Sequence, residues 1–365
     1  MKFSINRELL LRPLLQVAGA VERRQTLPIL ANVLLEVKLG ELFLTGTDLE
    51  VELVGKVKVD ESAEGRITVP GRKLMDIIRQ LPERAEVVAE VDGTSLILKS
   101  GRFRSLLSTL GADEFPTVEK SVKEISLKIE SKALKQLLDR TAFAMAQQDV
   151  RFFLNGMLIE ISRQEMRAVA TDGHRLALNS LEQGGVEEGK QVILPRKGVF
   201  EVQRLLQEVS GDVEVVVGSN HLGIVTEEFE LTTKLLDGKF PDYERVIPKD
   251  GDSVILVDRN ELRQALARTA ILSNEKFRAI RVRFSKGSLE LSANNPEQEQ
   301  AEETVSVDYD GEVVEIGFNV SYLQDVLGVL DSDRVQITVK DGNSSALLGE
   351  PDNDDGVYVV MPMKL

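Results

Sequence analysis

The sequence contains no cysteine and only two histidines. The first absence excludes disulfides, thiolate metal sites and a cysteine nucleophile, and it fits a cytoplasmic protein. His174 and His221 stand 47 residues apart and make a poor zinc set, and no H-E-x-x-H occurs. The G-x-S-x-G turn of serine hydrolases and the phosphate-cradling P-loop are also missing. No apolar run approaches the roughly twenty residues of a membrane span. The opening "MKFSINRELLLRPLL" sets charges inside its apolar patch and lacks a small-residue cleavage site, so no signal peptide is expected. The chain is short of positive charge as well. Its net charge of −15 argues, taken as a sum, against a nonspecific binder of nucleic acid.

What the chain does have is repetition. "LRPLLQVAGAV" from Leu11, "LKQLLDRTAFA" from Leu134 and "LRQALARTAIL" from Leu262 align, each with apolar residues at helical spacing. A second trio, "VPGRKLMDIIRQL", "LPRKGVFEVQRLL" and "FNVSYLQDVLGVL", starts at Val69, Leu194 and Phe318, 125 and 124 residues apart. A third trio follows each first helix as an alternating strand pair with a corner: "LFLTGTDLEVEL", "MRAVATDGHRLAL" and "LELSANNPEQEQ". Phe115-Pro116 and Phe240-Pro241 match in turn. The polar segments "TVEKSVKE" and "IPKDGDS" separate the copies, giving expected domains 1–122, 123–250 and 251–365. Period-2 stretches such as "EVVAEVDGTSLILKSGRF" surround two helices per copy, which predicts an α+β fold of three similar domains with antiparallel sheets.

Charge is distributed unevenly over this repeat. The six helical segments 7–20, 71–80, 132–148, 196–207, 258–270 and 319–330 carry +1, +2, +2, +2, +1 and −1, a total of +7, so the remainder holds −22. Arg12, Arg140, Arg204 and Arg268 are among the contributors, whereas the last helix has no basic residue and carries Asp325. Equivalent helices facing one way would make a basic lining within an acidic shell, suited to salt-sensitive, sequence-independent phosphate contacts.

Chemistry-bearing clusters are few. "TDGHRL" brings Asp172, His174 and Arg175 together. The Thr-Asp turn recurs in the first copy as "TDLEVE", which favours a structural role, while His174 and Arg175 belong to the second copy alone. Three readings remain open here: a structural corner, a binding corner, or an enzyme using Asp172 and His174. The acidic "EQEQAEE" (Glu297 to Glu303) reads as a charge-protected strand edge rather than a metal site. "EPDNDDG" matches a calcium loop in composition only, and "VVVGSNH" reads as a hairpin turn.

Taken together, "TLPILANVLLEV", "LTGTDLEVE", "QDVRFFLNGML", "VATDGHRLA", "PRKGV", "DGKFPDYERVIP", "ILSNEKFRAIR", "ANNPEQEQAEE", "IGFNVSYLQDVL" and "VVMPMKL" resemble, in order and over the whole chain, the bacterial sliding clamp family, the beta subunit of DNA polymerase III. The resemblance implies the DNA clamp fold in a ring-shaped, head-to-tail homodimer around double-stranded DNA. It implies a cytoplasmic processivity factor with no catalysis, cofactor, metal or membrane attachment. Expected partners are the DNA polymerase III alpha subunit, an ATP-driven clamp loader and other clamp-binding-motif proteins, whose peptides carry a glutamine and apolar residues.

The resemblance also implies three sets of residues. One wall of the peptide pocket would come from Leu154, Thr171, Gly173, His174, Arg175 and Leu176, with Pro241, Arg245 and Val246. The other wall would come from Asn319, Tyr322 and Ser345, and from the final strand through Val359, Val360, Met361, Pro362, Met363, Lys364 and Leu365. DNA contacts would fall to Arg24, Arg72, Lys73, Gln148 and Arg151, to Phe152 and Phe153, and to Arg196 and Lys197. The dimer contact would set Arg102, Arg104 and Leu107 of one copy against Ile271, Leu272, Glu299, Glu302 and Glu303 of the other.

Overall fold

The computed structural model describes residues 1–21, 27–118, 122–183, 186, 189–249, 251 and 253–364. Arg24 and Leu365, both expected at interfaces, lie outside the described residues. Among the described residues six α-helices form: α1 (Arg7–Ala20), α2 (Gly71–Gln80), α3 (Ser131–Asp139), α4 (Arg196–Glu208), α5 (Arg259–Thr269) and α6 (Val320–Val329), two for each repeat. Each starts directly after a strand. Where the boundary residue is Asn6, Asp258 or Asn319, its side chain accepts a backbone N–H of the first turn, which otherwise has no partner. None of the described helices is long and apolar enough to cross a membrane.

Two expectations about element ends are corrected. The helical segment expected over 132–148 stops at Asp139. The Thr141 hydroxyl donates to the carbonyls of Leu137 and Leu138 at 3.0 and 3.2 Å, and the chain tightens into a 3-10 turn over Ala142–Ala144. The acidic "EQEQAEE" is not strand throughout either. Its strand begins at Gln300. Before it, Asn295 holds Glu299 through both backbone and side chain, and Gln298 has φ 68°. Pro296 lies in this turn, where its missing N–H would be a defect within a ladder.

By contact density the chain forms two compact units, residues 1–135 with 197–235, and residues 136–196 with 236–365. The division runs through the central repeat because strands join neighbouring repeats edge to edge. In the first unit an eight-stranded sheet sets Phe229–Lys234 of the central repeat beside Val51–Lys58 of the first. In the second unit a twelve-stranded sheet sets Arg175–Glu182 beside Asn353–Val360 of the third repeat. All these pairs are antiparallel.

The two joints share one register. Glu52, opposite Thr47 in the first hairpin, pairs with Thr232. Leu176, opposite Thr171 in the second hairpin, pairs with Val359. Thr232 and Val359 also occupy matching places, opposite Gly223 and Leu347 in their own repeats. The five-stranded sheet of the first unit ends in the edge strand Phe103–Ser108, where Leu106 lies opposite Ile97. In the second unit the strand Gln300–Asp308 meets Ser253–Asp258 only at its last two residues, so its first half has one side unpaired among the described residues.

The second unit also buries charge. Arg140, at the end of α3, has a side chain only 8% exposed. It pairs with Asp331 at 2.7 Å and with the buried Glu350 carboxylate at 3.5 Å. Glu350 in turn accepts the backbone N–H groups of Asp331 and Ser332. Removing one partner of a buried pair strands the other. Arg140→Met is therefore expected to lower stability by about 3–5 kcal/mol, measured as a shift in the urea midpoint; a loss below about 1 kcal/mol, the worth of a surface pair, would contradict this role.

Candidate functional site

The corner between the strands Glu165–Thr171 and Arg175–Glu182 is built from its own side chains. Thr171 Oγ1 donates to the Arg175 carbonyl at 2.6 Å and accepts Gly173 N–H at 3.1 Å. Asp172 Oδ1 accepts the N–H groups of His174 and Arg175 at 2.9 and 3.0 Å. Gly173 sits at φ 87°, and a Cβ there would lie 3.1 Å from the Arg151 guanidinium, so glycine serves both the turn and the close approach. The Asp172 carboxylate is thus committed to the corner's backbone and to Arg175 Nε at 3.2 Å. A pair in which Asp172 orients the His174 ring as a base, the enzyme reading, is not what forms.

Arg175 is held on every side. Its guanidinium pairs with Asp325 of α6 and donates to the Phe143 carbonyl at 2.7 Å. Its charge lies 4.5 Å from the Tyr322 ring centre and 5.3 Å from that of Phe143. His174 stacks on the other neighbour of this group, with 6.5 Å between its ring centre and that of Tyr322. Burial, followed by the nearby Asp172 charge, pushes the Tyr322 hydroxyl up. Asn319 spends its side-chain oxygen on Ser321 N–H as the α6 cap.

Next to the corner lies an apolar cluster. Leu154, Leu158, Val169, Leu176, Leu178 and Val359 form its floor, with Phe240 and Tyr243 beside them. Leu347 and Ile247, which sequence reasoning missed, are partly exposed against it. Burial, then the hydrogen bond to Glu160, pushes Tyr243 up to about 12. The final segment is laced to the corner by Met361 N–H donating to the His174 carbonyl at 2.9 Å. Met361, Pro362 and Met363 are half-buried, Lys364 is exposed, and Ser345 is half-buried. Pro241, Arg245 and Val246 are exposed on and beside the 3-10 turn Tyr243–Arg245, where Arg245 pairs with Asp242 at 2.7 Å. Val359 and Val360 are both buried and alternate in side on the final strand.

The expected DNA residues differ in how free they are. In the first unit Arg72 and Lys73 are exposed on α2, but Lys197 is ion-paired with the buried Asp48. In the second unit Arg196 donates to the Met145 carbonyl at 3.1 Å. Gln148 is exposed at φ 54°, and Phe152 is exposed beside it in the same loop. Phe153, by contrast, packs against the apolar cluster. Several other helix cations are committed internally: Arg12 to Glu228, Arg140 as above, Arg204 to Glu201, and Arg268 to Glu303. The helix charges counted from the sequence therefore overstate the uncompensated positive charge.

At the expected dimer edges, Arg102 and Arg104 are exposed, but Leu107 is buried in its own sheet. Alternation puts Leu106 outward instead, 54% exposed. Ile271 is 76% exposed and Leu272 half-buried. Glu302 is exposed, Glu299 is held in the turn, and Glu303 pairs with Arg268 in its own unit. Among the described residues no three His, Cys, Asp or Glu side chains come together as a metal-holding group.

Models of the DNA polymerase III beta subunit match the chain in three parts: the N-terminal domain over residues 1–119, the central domain over 128–242 and the C-terminal domain over 244–364. A beta sliding clamp of Pseudomonas putida is 58% identical, with all of both chains covered, and that of Escherichia coli is 47% identical over the same full coverage. A sliding clamp of Pseudomonas aeruginosa solved bound to griselimycin superposes with a TM-score of 0.97 at 56% identity, covering 100% of both chains.

Asp149 gives a pH test of the loop beside the corner. The Arg151 guanidinium meets its carboxylate at 3.0 and 2.8 Å, and the Arg151 N–H adds a third bond. These bonds, side chain first, lower Asp149 from 3.8 to about 2. A depressed carboxyl favours the folded loop above its unfolded value and loses that contribution as pH falls toward about 2. Carboxyl NMR titration is expected to find Asp149 near about 2, and back toward 3.8 in Arg151→Gln; an unmoved titration in the variant would show that Arg151 is not the cause.

Proposed function

Because the chain belongs to the DNA polymerase III beta subunit family, the beta sliding clamps, we propose that two copies close head to tail into a ring around double-stranded DNA. The protein is a processivity factor and not an enzyme. It tethers the DNA polymerase III alpha subunit and other clamp-binding-motif clients in the cytoplasm, after a clamp loader has opened and closed the ring. The domains are 1–122, 123–250 and 251–365. A ring holds DNA by topology, so it needs only modest attraction for phosphate. The exposed Arg72, Lys73, Gln148 and Phe152 suit such contacts, with Arg151 able to join them on release from Asp149. Clients insert apolar side chains between the Thr171–Leu176 corner and Met361–Met363. The methionines supply a deformable wall suited to several sequences.

The observation that carries the ring is the shared register of the two sealed joints. Continuing it to the open edges sets Leu106 of one copy opposite Gln300 of the other, and hence Arg104 opposite Glu302 and Phe103 opposite Glu303. The exposures agree. Thr232 and Val359, the counterparts of Leu106, are 6% and 1% exposed where their joints are closed. Phe229, the counterpart of Phe103, is 3% exposed against 42% for Phe103. Phe143, the counterpart of Ile271, is covered by Tyr358 of the sealing strand, with 6.1 Å between ring centres. The apolar groups left open at Phe103, Leu106 and Ile271 are those that a third joint would cover, and pairing basic with acidic edges selects the head-to-tail arrangement.

Two experiments test this. Reversal of one side, Glu302→Lys or Arg104→Glu, is expected to weaken the dimer about tenfold or more by sedimentation at low concentration, and the double variant to recover it. Recovery failing while both single variants weaken would exclude this register. For encirclement, protein loaded on nicked circular DNA by a compatible, separately verified clamp loader and ATP should survive a salt wash and then leave when the circle is cut. Equal loss from circle and line would exclude a closed ring.

A further inference from the structure

The repeated register locates a groove in the third repeat that corresponds, strand for strand, to the client pocket of the second. Leu158, Val169 and Leu178 lie side by side across three strands on the floor of the apolar cluster. Arg281, Ser292 and Glu302 lie side by side across the matching three strands. Thr171 faces Leu176 across its hairpin as Asn294 faces Gln300. The bridge from Ile193 to Leu236 beside the cluster recurs as the bridge from Gly317 to Met363. At this position the third repeat has a groove of about 710 Å³, with Phe277, Arg281, Ser292, Gln300, Glu302 and Met363 along it.

The architecture is the same, but the side chains invert the chemistry. Three apolar groups are replaced by a cation, a hydroxyl and a carboxylate, so the groove cannot hold an apolar plug without stranding polar groups. Its charge is ordered. From the chain end inward the row runs Met363, Gly317, Arg281, Ser292, Glu302. The exposed Lys364 adjoins Met363 and lines the groove with Arg281. The end nearest the final segment therefore carries two cations, against Glu315 beside Arg281. Among the described residues Arg281 pairs with Glu315 at 3.3 Å, and both are about half exposed, which leaves the guanidinium accessible to a ligand.

The final segment links this end to the client pocket. Met361 N–H donates to the His174 carbonyl in the pocket, and Met363 N–H donates to the Gly317 carbonyl in the groove, at 2.9 and 2.7 Å. The two residues stand two positions apart with Pro362 between them, about 7 Å of extended chain. We propose that the groove is a second binding surface of the clamp, taking a carboxylate-bearing segment that flanks the apolar motif of the same client peptide. The inference rests on the reading of the Thr171–Leu176 corner as the client pocket. Continuity along Met361–Met363 supplies the path, and Arg281 with Lys364 supplies the attraction. Clients with equal apolar motifs are then ranked by the charge of their flanks.

The test uses the full chain and synthetic peptides bearing a glutamine-plus-apolar motif. One set has Gly-Ser flanks; others carry Asp and Glu, or Lys, on the N-terminal or the C-terminal side. By fluorescence anisotropy at low salt, acidic residues on one side are expected to tighten binding roughly threefold, the worth of a partly exposed ion pair, with the gain fading as salt is added. Arg281→Glu should abolish that gain, transfer it to the Lys-flanked peptide, and leave the Gly-Ser peptide unchanged. Absence of an acidic gain on either side, or its survival in Arg281→Glu, overturns the groove. Failure of the Gly-Ser peptide to bind the wild-type chain overturns the pocket itself and the groove with it.

Discussion

Unpaired backbone groups along a strand edge have to find partners, and this constraint organises the protein. Each repeat presents a hairpin edge on one side and a sheet edge on the other. Twice within the chain these edges meet, Val51–Gly55 against Phe229–Thr233 and Arg175–Asn179 against Gly356–Val360. Long sheets result, eight and twelve strands in the two units, and the division between the units falls inside the central repeat. The side chains nearest each joint follow: they are buried where the edge is sealed and exposed where it is open. The proposed ring of two copies would pair the edges that a single chain leaves open.

One scaffold with one register has been given three surfaces. The row across the hairpin strands is Leu34, Thr45 and Val54 in the first repeat, Leu158, Val169 and Leu178 in the second, and Arg281, Ser292 and Glu302 in the third. Backbone hydrogen bonds hold the row in place whatever its side chains are, so the outer face is free to vary while the inner face keeps its core. An apolar cluster in one repeat and a charged groove in another cost the fold little, because neither changes the ladder beneath. The second-repeat corner is tied more tightly than the others need, through Arg175, Asp325 and Tyr322, where a client peptide would press.

The arginines and lysines tell a similar story of shared use. Lys197, Arg204 and Arg268 meet carboxylates in the protein, and Arg140 is buried against Glu350. A residue that neutralises a buried carboxylate cannot also offer its full charge to a phosphate. What remains exposed, Arg72 and Lys73 among it, is a weak field of the kind that lets a protein move along DNA rather than stop on it.

The threefold repeat, the six helices, the hairpin corners and the family were legible in the sequence because apolar period and turn chemistry are local properties. Capping residues such as Asn6, Asp258 and Asn319 act over three residues and announce helix starts. The misread element ends arose where one local rule met another. A turn closed by Asn295 interrupted an acidic run that reads as strand, and Thr141 ended a helix whose apolar period continues. Counting charge on helices also could not reveal which guanidinium groups face a carboxylate. Partners such as Arg175 with Asp325, 150 residues apart, or Lys197 with Asp48, 149 apart, are set by packing between elements and leave no mark in either segment. The sequence by itself determined the repeats, their elements and the lineage, since periodicity and motif order are carried along the chain. Only the tertiary structure decided which edges are sealed, which cations are spent internally and which face of each strand is outward, because those depend on distances in space that sequence separation does not record.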